Sequence, residues 1–102
     1  MTKTIIYVGL ADKDSKQQEI TTLDAYKIMN NIFIKTTGGA TITEASGIYT
    51  HDNGEVVCEK TLIATLFGAD AKDIDKACTM IKLALNQESV IIETMESNSR
   101  FF

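Results

Sequence analysis

Asn53-Gly54 stands between two runs of strand-type residues, TITEASGIYT before it and VVCEKTLIATLF after it. A two-residue type I′ turn needs positive φ at both central positions, and Asn-Gly meets that need at the least steric cost. The spacing predicts one long hairpin from Ala40 to Phe67, around which the rest of the chain must be arranged. With Asn53 and Gly54 as the loop, Asp52 faces Glu55, Tyr49 faces Cys58 and Ala45 faces Leu62.

The flanking segments supply the other elements. Ile5–Leu10 (IIYVGL) is a near-continuous apolar run bounded by polar residues, which suits a buried strand. Thr22–Thr36 reads as a helix, with Thr21 or Thr22 as N-cap and Asp24 in the first turn. Leu23, Tyr26, Met29 and Phe33 recur at spacings of three and four, and Gly38-Gly39 supplies a left-handed stop. Asp70–Asn86 is the second helix, capped by Asp70, with Ile74, Ala77, Cys78, Ile81 and Leu85 as its inward stripe. Val90–Met95 (VIIETM) closes the chain as a strand, and SNSRFF follows it.

The order is strand, helix, strand, strand, helix, strand within 102 residues, enough for one core and one domain spanning 1–102. Right-handed crossovers and short connections make this an α+β, ferredoxin-like βαββαβ sandwich. Its antiparallel sheet has the order 4-1-3-2, with both helices on one face. The expected central strands, IIYVGL and TLIATLFG, are apolar on both parities, whereas TITEASGIYT is polar and carries Gly47, as befits an edge.

Strand alternation then sorts the hairpin into two surfaces. Ala45, Leu62, Ala64 and Leu66 are assigned to the helix side. Ile42, Ile48, Ile63 and Phe67 are assigned to the open side, with Glu44, Thr61, Thr65 and Glu59 between them. Four such side chains left in water represent about 6–12 kcal/mol of burial on offer to a partner. The expectation is a homo-oligomer, dimer or trimer, formed through the open sheet face. The exposed pair Phe101-Phe102 is a candidate to dock on a neighbouring subunit.

Charge narrows the partners. A formal net charge of −4, with ten Lys and Arg dispersed along the chain, is the reverse of what phosphate-backbone binding requires, so no nucleic-acid partner is expected. No apolar run reaches the roughly 18–20 residues that span a bilayer. The apolar stretch in MTKTIIYVGLADKD is too short for a signal peptide, which gives the expectation of a cytoplasmic protein with no membrane partner. Cys58 and Cys78 lie far apart without a CxxC, and are read as small hydrophobes rather than a disulfide or metal pair.

Candidate chemistry gathers in YTHDNGEVVCEK. His51 with Asp52, Glu55 and Glu59 is the one cluster suited to acid–base work. His51 and Asp52 are sequence neighbours on a ribbon, however, and project to opposite faces. His51 therefore reads as the wet tip of a hairpin, and no catalytic residue, metal ligand or cofactor is assigned. Gly9-Leu10-Ala11, followed by Lys13 and Lys16, offers free N–H groups and positive charge where an anion or nucleotide could sit. The candidate ligand residues are Gly9, Lys13, Lys16, His51 and Glu59. DKDSKQQE, between the first strand and the first helix, is read as a charged, solvated loop, a setting in which binding function is also carried.

Three stretches together are similar to an uncharacterised bacterial domain-of-unknown-function family: Gly39-Ala40-Thr41 through Gly47-Ile48-Tyr49; Asn53-Gly54-Glu55 with Glu59; and Asn86-Gln87-Glu88-Ser89-Val90. The resemblance covers roughly Ile5 to Thr94 and implies the fold, with no activity attached. More distantly, the layout resembles the trimeric PII and CutA type, which pairs a ferredoxin-like core with a long hairpin, a fold-level analogy. The leading functional expectation is a non-enzymatic oligomer that binds or sequesters a small anion or nucleotide in clefts between subunits. The alternative is an acidic protein-binding module or inhibitor of plasmid or phage type, working by electrostatic complementarity. The third is a cofactor-free enzyme of the dimeric ferredoxin-like kind.

Overall fold

A computed structural model describes residues 1–50 and 52–102 of the chain. The elements run β1 (Thr2–Gly9), α1 (Thr22–Lys35), β2 (Thr41–Thr50), β3 (Val56–Phe67), α2 (Ala71–Ala84) and β4 (Ile91–Glu96). All strand pairs are antiparallel, and the sheet order is β2-β3-β1-β4. This is the ferredoxin-like order expected from the chain. Among the described residues, no helix is long and apolar enough to cross a membrane.

The core is one cluster between the sheet and the two helices. Ile6, Val8 and Leu10 of β1 and its end, with Leu62, Ala64 and Leu66 of β3, meet Met29 and Phe33 of α1 and Ile74 and Ile81 of α2. Period-two burial from Thr4 to Gly9 in β1 and from Leu62 to Leu66 in β3 (buried at even numbers, half-buried at odd) shows that one sheet face carries the helices and the other does not.

Both helices are capped as their sequences dictate. Thr21 Oγ1 accepts from Asp24 N at 3.1 Å, and Asp70 Oδ1 accepts from Lys72 N at 2.9 Å. The buried stripe of α2 is the one its spacing predicts. That of α1 is so only in part: Met29 and Phe33 are buried as expected, but with Ala25 and Ile32, while Leu23 is 61% and Tyr26 40% exposed. The apolar residues of α1 extend around more than one face, so periodicity alone leaves its rotation open, and packing against Phe33 and Ile32 settles it.

The hairpin departs from expectation by one residue. Tyr49 pairs with Val57, Gly47 with Glu59 and Ala45 with Thr61. Pairing ends at Thr50 with Val56, so an odd number of positions joins the strands instead of two. Asn53 spends its side-chain oxygen on Glu55 N at 2.9 Å, and Gly54 adopts φ +86°. A one-residue slip exchanges the faces of a strand. Ile42, Ile48 and Glu44 therefore lie on the helix side, and Ala45 on the open side. Ile42 packs against the core, whereas Ile48 is 72% exposed where the ribbon runs clear of the helices. Ile63 and Phe67 are on the open face, as expected. The projecting ribbon helps give the molecule its 47 × 25 × 21 Å extents.

Candidate functional site

The open face carries a cleft of about 590 Å³ where β1 ends. Three segments wall it: β1 with the turn that follows it, β3, and the connection from α2 to β4. Gly9, Lys13, Lys16 and Glu59, singled out from separate parts of the sequence, all line this one cleft. His51, the fifth candidate, lies outside the described residues.

Glu59 lies beside two glycines. It pairs across the ladder with Gly47 on β2, and its carboxylate leans over β1 onto Gly9. A Cβ built on Gly9 would overlap Glu59 Oε1 and sit 2.7 Å from its Cδ. The carboxylate therefore occupies space that any other residue at position 9 would fill. Tyr7, two residues earlier on the same face, donates its hydroxyl to Glu93 Oε1 at 3.3 Å. Partial desolvation and then the Glu93 charge push that hydroxyl's pKa up.

The turn after β1 is solvated, as DKDSKQQE suggests, but it is not loose. Asp12 Oδ2 accepts from Asp14 N at 2.9 Å and Ser15 N at 3.1 Å, and Lys16 N donates to Asp12 O at 2.9 Å. The turn is fastened from outside by the end of α2. Asn86 Nδ2 donates to Asp12 Oδ1 at 2.8 Å and to Asp14 Oδ2 at 2.9 Å, while Lys13 N donates to Asn86 O at 3.0 Å. Gln87 Nε2 donates to Ala11 O at 2.9 Å. The Asn86 amide, with the Ser15 and Asp14 N–H groups, holds the Asp12 carboxyl below the usual carboxylate range.

Asn86 can face the turn because it takes φ +48° at the end of α2, while Gln87 N closes that helix on Lys82 O at 2.9 Å. This is a Schellman-type ending with asparagine at the left-handed position. Asp12, Asn86 and Gln87 were not among the sequence candidates. The signal was present in an asparagine just past the apolar stripe of α2, but its long-range partner is invisible to spacing.

The cleft is acidic. Four carboxylates line it (Asp12, Glu55, Glu59 and Glu88) against two ammonium groups, both on the turn. Among the described residues, no group of three His, Cys, Asp or Glu side chains converges in a way that would hold a metal ion. Cys78 is buried and its thiol is pushed up to about 11 by burial and the Asp75 charge; Cys58 is exposed on the ribbon.

No family model matches the chain, and no curated protein matches it. Solved structures do. A phage SAM lyase in complex with S-methyl-5′-thioadenosine aligns at TM-score 0.64 and 26% identity, over 93% of this chain and 80% of the lyase. The divalent ion tolerance protein CutA1 from Ehrlichia chaffeensis aligns at 0.55 and 15% identity, over 97% and 84% of the two chains. A DUF3240 family protein from Shewanella baltica aligns at 0.56 and 8%, over 99% and 94%. The last two likenesses are of fold alone, and agree with the fold-level resemblance drawn from the layout.

Proposed function

We propose that the cleft binds an S-adenosyl nucleoside and that the chain cleaves S-adenosylmethionine to S-methyl-5′-thioadenosine. The observation that carries this reading is the Glu59 carboxylate held over Gly9 in an acidic cleft, in a chain that aligns with a SAM lyase along 93% of its length. Simple anions are poorly matched to a site with four carboxylates and two lysines. A ligand carrying a sulfonium and an ammonium group suits it, because opposite charges brought together in a partly enclosed cleft attract more strongly than in bulk water.

The chemistry follows from the product. S-methyl-5′-thioadenosine keeps the methyl and adenosyl groups on sulfur, so the bond that breaks is sulfur to Cγ of the amino-acid arm, and its electron pair goes to sulfur. Closing the substrate's own carboxylate oxygen onto Cγ balances the step without water or an outside base. The sulfonium loses its charge in this step while the ammonium keeps its own. A carboxylate spent on the ammonium therefore binds substrate without resisting the reaction. Glu59 is the residue assigned that contact.

The same reading includes association through the open face. Ile5, Ile63 and Phe67 lie on the helix-free side with Ile91, whose exposure is 65%. The cleft opens on that side too, so a second copy would wall it. Sedimentation velocity at micromolar concentration should give an oligomer, and Ile63→Asp should return it to a single 11.2 kDa chain.

The test of the activity is direct. Incubation with S-adenosylmethionine, followed by chromatography, should yield S-methyl-5′-thioadenosine, and Glu59→Gln should lower affinity for S-adenosylmethionine by about tenfold. No calorimetric heat with either compound at millimolar concentration would remove the reading.

A further inference from the structure

The two ammonium groups of the cleft lie on one segment, beside an Asp12 whose carboxylate is already taken up by the Asn86 amide and two backbone N–H groups. The carboxylate of Glu59 rises from the sheet, whereas both ammonium groups, Lys13 and Lys16, belong to the turn after β1. That turn is closed on itself by its own hydrogen bonds but has no apolar anchor to the rest of the fold. Residues 13–19 are all exposed, and none joins the core. What holds it is the end of α2, through the two bonds of the Asn86 amide, the bond from Lys13 N to Asn86 O, and the reach of Gln87 to Ala11 O. A neutral amide that donates to Asp12 and Asp14 together also lets two carboxylates share one small turn. Without it their repulsion would favour opening. Lys16, at φ +63°, folds its ammonium back onto Lys13 O at 2.7 Å, so both lysines move with the turn.

We propose that Asn86 is a positioning residue that latches the Asp12–Lys16 turn beside the cleft, so that Lys13 and Lys16 select ligands bearing an α-amino acid carboxylate. The inference rests on the S-adenosyl reading of the cleft and deepens it. The Glu59 side takes the cationic part of the ligand, and the turn takes the carboxylate. S-adenosylmethionine has that carboxylate and S-methyl-5′-thioadenosine does not. The latch therefore favours substrate over product and eases product release; because the closing carboxylate gives up its charge in the step, the lysine contact serves selection and not bond cleavage.

Asn86→Gly is the informative variant, because glycine keeps the left-handed backbone that ends α2 while removing the amide. The double variant Lys13→Ala/Lys16→Ala removes the charges and leaves the latch. Isothermal titration of wild type and both variants with S-adenosylmethionine and with S-methyl-5′-thioadenosine reads the effect. Each variant should weaken the substrate by about tenfold and the product by less than about twofold. In Asn86→Gly, hydrogen exchange at the Asp14 and Ser15 amides should also speed up, while the α2 amides stay protected. Equal weakening of both ligands, or an unchanged ratio in Asn86→Gly, overturns the assignment of selectivity to the latch. Should wild type bind neither compound, the S-adenosyl reading falls and this inference falls with it.

Discussion

The carboxylate of Glu59 and the α-carbon of Gly9 share a space that a single methyl group would fill. The contact joins β3 to β1 across the open face and aims a charge into the cleft. It exists because position 9 lacks a side chain.

Gly9→Ala separates site from fold. The new methyl meets the far end of a flexible side chain, which can swing away, and Gly9 has no positive φ that alanine would strain. Stability should stay within about 1 kcal/mol of wild type by urea denaturation. Affinity for S-adenosylmethionine should fall by about tenfold as Glu59 is displaced. Unchanged affinity would show that the placement of Glu59 does not matter to binding.

The hairpin register predicts opposite outcomes at two isoleucines. Ile42 packs against the core and Ile48 is 72% exposed. Ile42→Ala should cost about 1–2 kcal/mol, because its burial is partial, and Ile48→Ala less than about 0.5 kcal/mol. Chemical denaturation of the two variants checks this. Equal costs would contradict the pairing of Tyr49 with Val57.

The thiols should separate in a disulfide-exchange assay. Cys58 is exposed, while Cys78 is buried with its thiol pKa at about 11, so at pH 8 it holds almost no thiolate. Ellman's reagent should titrate one thiol quickly in the native protein and the second only after denaturant is added. Two fast thiols would mean that α2 opens readily.

The latch has a pH signature. The Asp12 carboxyl is depressed in the folded chain, so its contribution to stability is fully present above the ordinary aspartate value of about 3.9 and is lost as pH falls through the lower folded value. Asp14, Lys13 and Lys16 surround it on the turn, and the uncharged Asn86 faces it from α2. Asp12→Asn should melt below wild type at pH 7, with the gap closing as pH drops below about 4. A gap that stays constant from pH 7 to pH 3 would show that the charge of Asp12 plays no part.

Helix–strand order, the caps Thr21 and Asp70, the inward face of α2 and the apolar central strands were legible along the chain, because each is a short-range consequence of residue type and period. Gly9, Lys13, Lys16 and Glu59 were legible as candidates for the same local reasons: a glycine at a strand end, lysines after it, and a carboxylate on an alternating strand. That they share a cleft was not, since positions 9 and 59 meet only when β1 lies beside β3. The rotation of α1 was undecided because its apolar residues offered more than one stripe. The faces of β2 depended on whether the turn spanned an even or odd number of positions, and the pairing of Thr50 with Val56 makes it odd. The Asn86–Asp12 latch joins residues 74 apart, and no pattern in either segment points to the other. Local propensity acts over a few residues, so the chain alone could specify its elements and their order. Register, helix rotation and the joining of distant polar groups are decided by packing, where contacts remote in sequence set the energy.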